Sequence, residues 1–460
     1  MEKCVSQLLL YSTLSKNTVL AEFADIFRDY HKMKAETVMG PSKDWHTGSF
    51  SPEFSEQVEL LTQRVHIAVR HILDLGTDYG FDVNLWQDYL TFLLLTDENS
   101  FTLSMERSKK EHGTAVSFAK HDFRVFLKLF HYDFSDIEKD LGISCLSALT
   151  DYQGFPKDEK RYNKNVAVQI RSLSRKLSEA KDENEFYDLV TDHYDLYGVG
   201  MIGMNRAFRI RNMDGKVTLV PVHNNRALFL SDLIGYEEEK KQLRLNTEAF
   251  LAGRKANNAL LYGDAGTGKS SSVKALINEY YDQGLRMIEI YKYQFRDLST
   301  VISMIKNRNY RFIIFIDDLS FEENEVEYKF LKAVIEGGVE SRPDNVLIYA
   351  TSNRRNLIRE TWKDREDMEH ENDVHHSDTL EEKMSLSARF GCRIRYMIPR
   401  RRDFESMVLT LAEREGIEMP KDELLLLANR FEMSHGSACG RTAQQFVDYL
   451  SGKIASEQGK

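Results

Sequence analysis

Eight consecutive residues, Gly263-Asp264-Ala265-Gly266-Thr267-Gly268-Lys269-Ser270, have the types and spacing of a phosphate cradle. Glycines let a backbone curl until several N–H groups point inward at phosphate oxygens. A lysine at the seventh place puts a point charge on the β- and γ-phosphates, and a serine hydroxyl at the eighth can ligate Mg²⁺. Ser271 follows as a further nucleotide contact. Context strengthens the reading. The apolar run Leu260-Leu261-Tyr262 predicts a strand before the loop, and Ser270–Tyr281 predicts a helix after it, so the helix dipole adds its positive end to the cradle. A second strand, Phe312–Ile316, ends in Asp317-Asp318. Asp317 is placed to hold Mg²⁺, directly or through water, and Asp318 to orient an attacking water. Asp318 is one methylene shorter than glutamate would be, which predicts slow turnover.

These residues need elements to position them. From Leu228 onward strands and helices alternate: a strand at Met287–Tyr291, a helix at Leu298–Ile305, a helix at Tyr328–Ile335 ended by Gly337-Gly338, and a strand at Val346–Ala350. Apolar runs without polar alternation predict strands covered on both faces, hence a doubly wound parallel α/β sheet. After Pro399 the pattern turns helical over Phe404–Glu415, Leu424–Phe431 and Thr442–Leu450, which predicts a helical lid. Ahead of the sheet, Ala207–Ile210 and Val217–Val222 flank Asn212-Met213-Asp214-Gly215, a hairpin signal. Residues 1–190 are mostly helical, with amphipathic stretches at Phe54–Leu75, Asp88–Leu95 and Val166–Leu177 and no catalytic motif. The expected organisation is a helical N-terminal domain over 1–190, a hairpin connector over 191–227, an α/β nucleotide-binding domain over 228–399 and a helical lid over 400–460.

The same motifs resemble an AAA+ ATPase. Thr351-Ser352-Asn353 is similar to the strand end carrying sensor 1, which implies that Asn353 places the lytic water or senses the γ-phosphate. Ser385-Leu386-Ser387-Ala388-Arg389-Phe390-Gly391 resembles the arginine-finger segment, so Arg389 would act on a neighbouring subunit's nucleotide, with Arg354 and Arg355 as rivals for the role. Gly440-Arg441 resembles sensor 2, which implies that Arg441 reaches its own subunit's nucleotide. Asp232-Leu233-Ile234-Gly235-Tyr236 resembles the wall of an adenine pocket, with Ile234 and Tyr236 as contacts. Leu233–Glu237, Ala256–Asn258, Asp317–Glu322, Thr351–Arg355 and Gly440–Phe446 together resemble the bacterial AAA+ family catalogued as domain of unknown function 815, over roughly residues 190–455. In that family an Asp-Asp pair at the end of this strand is usual. The resemblance implies a P-loop ATPase fold, ATP and Mg²⁺ as cofactors, and assembly into a homo-oligomer. The work of the ATPase would be a conformational change in a partner protein or an assembly; a slow nucleotide-gated switch and a loader or remodeller on nucleic acid are the alternatives.

Composition narrows the partners. The chain has 460 residues, 42% hydrophobic and 29% charged, with 7 prolines. At roughly 100–200 residues per domain that predicts two to four domains, and it excludes wholesale disorder. The net charge of −10 disfavours nucleic-acid binding over the whole surface. The basic run Arg393, Arg395, Arg400, Arg401 and Arg402 is read first as a solvated or acid-pairing face. Four cysteines, Cys4, Cys145, Cys392 and Cys439, have no CxxC spacing and fit a reducing compartment; Cys392 and Cys439 read as small buried residues. Apolar runs are too short to span a membrane, and the N-terminus lacks a leader pattern, so a cytoplasmic protein is expected. An unidentified protein partner is expected to meet the N-terminal domain. Glu360–Lys383 is a long polar stretch, read as a partner-meeting or pore loop; its His370, His375 and His376 are poorly spaced for a metal. Tyr291-Lys292-Tyr293, after the second strand, is the nearest thing to an aromatic pore loop.

Overall fold

The computed structural model describes residues 1–39, 52–107, 113–153, 164–213, 215–222, 228–322, 325, 327–336, 343–354, 357 and 386–458. Several expectations fall outside them: Asp214 of the hairpin turn, Gly337-Gly338, Arg355, the Glu360–Lys383 stretch with its three histidines, and Ser385. The chain divides into two compact units, Met1–Asn205 and Arg206–Lys460.

The first unit is helical. Its main helices are α1 (Val19–Met39), α2 (Pro52–Tyr79), α3 (Leu85–Thr96), α4 (Thr114–Phe130), α5 (Lys164–Ser178) and α6 (Glu183–Leu196). Two start on side-chain caps: the Asn84 side chain accepts from the Gln87 N–H, and Asp182 accepts from the Asn184 and Glu185 N–H groups. Each such cap is worth about 1 kcal/mol. The helices enclose an aromatic core in which Phe23, Trp86 and Phe134 meet edge to face. Within it the Trp86 indole donates to the Leu129 carbonyl at 2.7 Å, and the Tyr11 and Tyr194 hydroxyls meet at 2.9 Å.

The second unit is a seven-stranded sheet with helices around it. Its strands are β1 (Ala207–Met213), β2 (Lys216–Pro221), β3 (Ala259–Gly263), β4 (Leu285–Glu289), β5 (Arg311–Ile316), β6 (Val346–Ser352) and β7 (Cys392–Tyr396), in the order β2-β1-β4-β5-β6-β3-β7. Every pairing is parallel except β1 with β2. β6 is buried along its whole length and β5 beyond its first residue, as strands covered on both faces must be. Helices α7 (Glu237–Leu251), α8 (Lys269–Tyr280), α9 (Leu298–Ile305) and α10 (Glu327–Glu336) connect the strands; α11 (Arg401–Arg414), α12 (Lys421–His435) and α13 (Gly440–Gln458) form the lid around Phe404, Val408, Ala443 and Val447. This is a mostly parallel, doubly wound α/β sheet carrying the P-loop, with a helical lid after it and a helical region before it.

Two features depart from the local reading. The hairpin is not a separate connector: β1 runs parallel to β4 with Phe208 opposite Ile288, so both hairpin strands belong to the sheet. β7, read only as part of a basic run, is an edge strand whose alternation buries Ile394 and Tyr396 and exposes Arg393 and Arg395.

Candidate functional site

Because the strands are parallel, the carboxyl ends of β3, β5 and β6 open on one side of the sheet, where ligands of open α/β folds bind. The P-loop leaves β3 there. Gly263 has φ +133°, and a Cβ on it would stand 1.9 Å from the Tyr396 carbonyl oxygen, so only glycine lets β3 turn away from β7. Gly266 has φ +77°, and its missing side chain leaves room for the Cys439 sulfur. Helix α8 begins at Lys269, directly behind the loop.

The loop lines a cavity of about 790 Å³. Ala265, Gly266, Thr267, Gly268, Lys269, Ser270 and Ser271 face it from the loop and α8, Asp317 and Asp318 from the end of β5, and Thr351 and Asn353 from the end of β6. Ile234 and Tyr236 line it from the segment before α7, and Arg441 from the start of α13. Two expected contacts serve the cradle differently. Gly263 lies beneath it, and Asp264 binds backbone: its N–H donates to the Tyr396 carbonyl, and its carboxylate accepts from the Ile398 N–H at 2.8 Å. Arg389 does not line the cavity; it is half-buried just before β7. Arg354 is near the end of β6 and pairs with Glu322.

The polar chemistry concentrates on Asp317. Its Oδ1 accepts from the Ser270 hydroxyl at 2.5 Å and from the Thr351 hydroxyl at 2.6 Å. Thr351 also accepts from the Asp318 N–H at 2.9 Å, so one hydroxyl ties the Asp317 carboxylate to the Asp318 main chain. Asp318 sits at φ +51°, a left-handed conformation that Asp tolerates better than most residues. Its Oδ1 accepts from the Asn353 side-chain amide at 2.9 Å. The Lys269 ammonium donates to the Gly263 and Asp264 carbonyls at 2.9 and 2.6 Å, which holds it across the loop. Burial pushes its pKa down, partly offset by Asp264, Asp318 and Asp317. From the lid, the Arg441 N–H donates to the Gly266 carbonyl at 3.1 Å and closes α13 onto the loop.

The other end of the cavity is apolar. Leu228, Ile234, Met407 and Leu411 line it beside Tyr236, whose hydroxyl donates to the Met397 carbonyl at 2.9 Å and whose ring packs on Tyr396 at 5.1 Å. Lys240, almost fully buried, donates to the Leu233 carbonyl and fixes the wall segment. An apolar slot next to a phosphate cradle fits a purine nucleoside triphosphate. Among the described residues no three of His, Cys, Asp and Glu gather as a metal site. Ser270 and Asp317 nevertheless fit Mg²⁺, which keeps several waters and takes one or two protein oxygens plus substrate phosphates.

Residues 203–454, over half of the chain, match the family described as Protein of unknown function (DUF815). The chain belongs to the DUF815 family. No curated protein matches it. Among solved structures, those of Thermotoga maritima RuvB are similar to this DUF815 chain over 51% of its length. One point mutant has 17% identity, 68% of its own chain covered and a TM-score of 0.36; a second has 17%, 67% and 0.37; the one described as the Holliday junction branch migration motor has 16%, 67% and 0.35. Likenesses at this level carry no argument about what the DUF815 chain does.

Spacing found the P-loop and the two aspartates but missed Thr351 as their shared hydroxyl, Lys274, and the lid residues Gln444 and Gln445, all of which line the cavity. The one available signal for Lys274 was its position four residues after Ser270, on the same helix face. Away from the cavity, the Tyr291 and Tyr293 rings stack in parallel 5.8 Å apart on the surface after β4. In the basic run, Arg401 pairs with Glu405 and Glu432. All four cysteines are free; Cys439 is buried and Cys392 only partly. Among the described residues no helix is long and apolar enough to cross a membrane.

Proposed function

We propose that this nucleotide-binding AAA+ chain is an ATPase that hydrolyses Mg·ATP to drive a conformational change in a partner protein or an assembly. The observation that carries the reading is the convergence of the Ser270 and Thr351 hydroxyls on one oxygen of Asp317, beside the P-loop lysine and under Arg441 of the lid. In this reading Lys269 and the loop N–H groups from Ala265 to Ser271 hold the phosphates, and Ser270 and Asp317 hold the metal. Bound Mg²⁺ would neutralise charge on the β- and γ-phosphates. Asp318, oriented by Asn353, accepts a proton from the attacking water. Ile234 and Tyr236 wall the adenine. Arg441 links the γ-phosphate to the lid, so that loss of phosphate loosens α13 from Gly266.

Arg389 stands off its own chain's cavity, which is where an arginine serving a neighbouring subunit's nucleotide belongs. Hydrolysis would then require a homo-oligomer. A slow nucleotide-gated switch is the second reading, favoured by the short Asp318 side chain that Asn353 already engages. The unidentified partner of either would meet the helical N-terminal region.

The test is ATP turnover per subunit across a wide range of protein concentration. A rate rising steeply with concentration, and falling by about 10³-fold or more in Arg389→Ala, is the expected outcome for a finger supplied in trans. A flat, very slow rate with tight ATP binding would replace the motor by the switch.

A further inference from the structure

Among the described residues, the short hydrogen bonds to Asp317 fall on one of its oxygens, Oδ1. The other, Oδ2, faces the Lys274 ammonium at 3.5 Å. That ammonium stands equally far, 3.5 Å, from Oε1 of Glu289 at the end of β4. Glu289 is opposite Phe315 of β5, the strand that leads into Asp317, and the Lys274 ammonium lies 5.4 Å from the centre of the Phe315 ring. The second oxygen of Glu289 is taken by Arg209 of β1 at 2.7 Å, which fixes that carboxylate in place. Lys274 is half-exposed, lines the cavity, and follows Ser270 by four residues, so α8 presents the hydroxyl and the ammonium on one stripe.

A flexible cation held at equal distance between two carboxylates can move from one to the other at little cost. One of the two is the carboxylate assigned above to Mg²⁺. We propose that Lys274 is a positioning residue: it is the resident counter-cation of Asp317 Oδ2 while the metal position is empty, and it transfers to Glu289 when a divalent cation arrives. The proposal rests on the nucleotide and metal reading of the site and adds to it what sets the cation's affinity. Lys274 keeps Asp317 from attracting stray cations, and Glu289 receives the lysine so that the exchange leaves no unpaired charge.

Plain electrostatics also predicts that losing a nearby lysine strengthens cation binding and losing a nearby carboxylate weakens it. The transfer adds one requirement, that Glu289 acts only through Lys274. The experiment is an electron paramagnetic resonance titration of Mn²⁺ into the full chain with ADP bound, with ADP affinity in EDTA measured alongside. K274Q should bind Mn²⁺ about three- to fivefold more tightly and E289Q about three- to fivefold more weakly, the scale of a part-exposed ion pair. K274R should stay at the wild-type value. The double variant K274Q/E289Q should match K274Q alone, because without the lysine there is nothing for Glu289 to receive. Single effects that simply add in the double variant would overturn the transfer, as would unchanged affinity in K274Q. Failure to bind ADP in EDTA would remove the nucleotide reading itself, whereas normal ADP binding with unaltered Mn²⁺ affinities would remove only the role of Lys274. Unchanged circular dichroism and melting keep either result from being a folding defect.

Discussion

Asp122 of the helical unit and Asp317 of the sheet unit each gather several groups, and the two are built differently. Asp122 in the helical unit is fully buried, and its carboxylate accepts from the backbone N–H groups of Leu9, Leu10 and Tyr11. It ties the start of the chain to α4. Asp317 in the sheet unit is one-third exposed, takes two hydroxyls on one oxygen and holds a lysine only loosely on the other. Backbone donors are fixed by the fold and cannot leave, whereas hydroxyls rotate and an ammonium on four methylenes swings. A carboxylate satisfied by the main chain is therefore structural, and one satisfied by exchangeable side chains at a cavity is available to a ligand.

The contrast can be broken at four points. The largest effect is expected at Asp318→Asn, where turnover should fall by about 10²–10⁴-fold with ADP affinity unchanged, as for loss of a general base. Asparagine tolerates the left-handed backbone there, so phosphate release measured beside calorimetric melting separates chemistry from folding. Asp122→Ala should do the reverse. It strands three N–H groups and should lower the stability of the helical unit by roughly 4 kcal/mol at 1–3 per unpaired buried group, read by calorimetry, with ADP binding intact. Impaired ADP binding in that variant would end the division between the two aspartates.

His193 supplies the next test within the helical unit. It is buried beside Tyr197, and its Nε2 has no partner among the described residues. Burial, helped by Lys176, lowers its pKa from 6.5 to about 3. Between those values the unfolded chain binds a proton that the folded chain refuses. Stability from this residue is therefore complete above pH 6.5 and drains as pH falls toward 3, by roughly 3 kcal/mol at pH 4. Melting against pH should show this acid limb, and His193→Gln should flatten it. The smallest effect is expected at Tyr236→Phe. The Met397 carbonyl loses its donor, and the sheet unit should lose about 1 kcal/mol in chemical denaturation.

Much of the site was legible because its residues are contiguous. The P-loop is one octapeptide, and its chemistry follows from local backbone geometry. Asp317 and Asn353 each directly follow an apolar strand, so their positions follow from strand length. Helices with strong apolar periodicity, such as Leu298–Ile305, were placed to the residue. α7 was not read, because its first turn is Glu237-Glu238-Glu239 and only one stripe of it is apolar. β7 was hidden by its arginines, although Cys392-Arg393-Ile394-Arg395-Tyr396 alternates as an edge strand should. The hairpin strands were recognised, but their union with β4 was not, because strand pairing over some 80 residues leaves no mark in either local pattern.

By itself the order of residues determined a glycine-rich loop between a strand and a helix, a strand that delivers two aspartates beside it, and helices after the sheet. Those are local matters of backbone freedom, side-chain period and helix polarity. Tertiary structure alone decided which groups share a proton or a charge. Thr351 joins Asp317 to Asp318, Asp264 turns away from the cavity to hold Ile398, and Lys274 comes to stand between Glu289 and Asp317. Each of those contacts spans distant parts of the chain, and a few ångströms set by sheet order determine whether it exists.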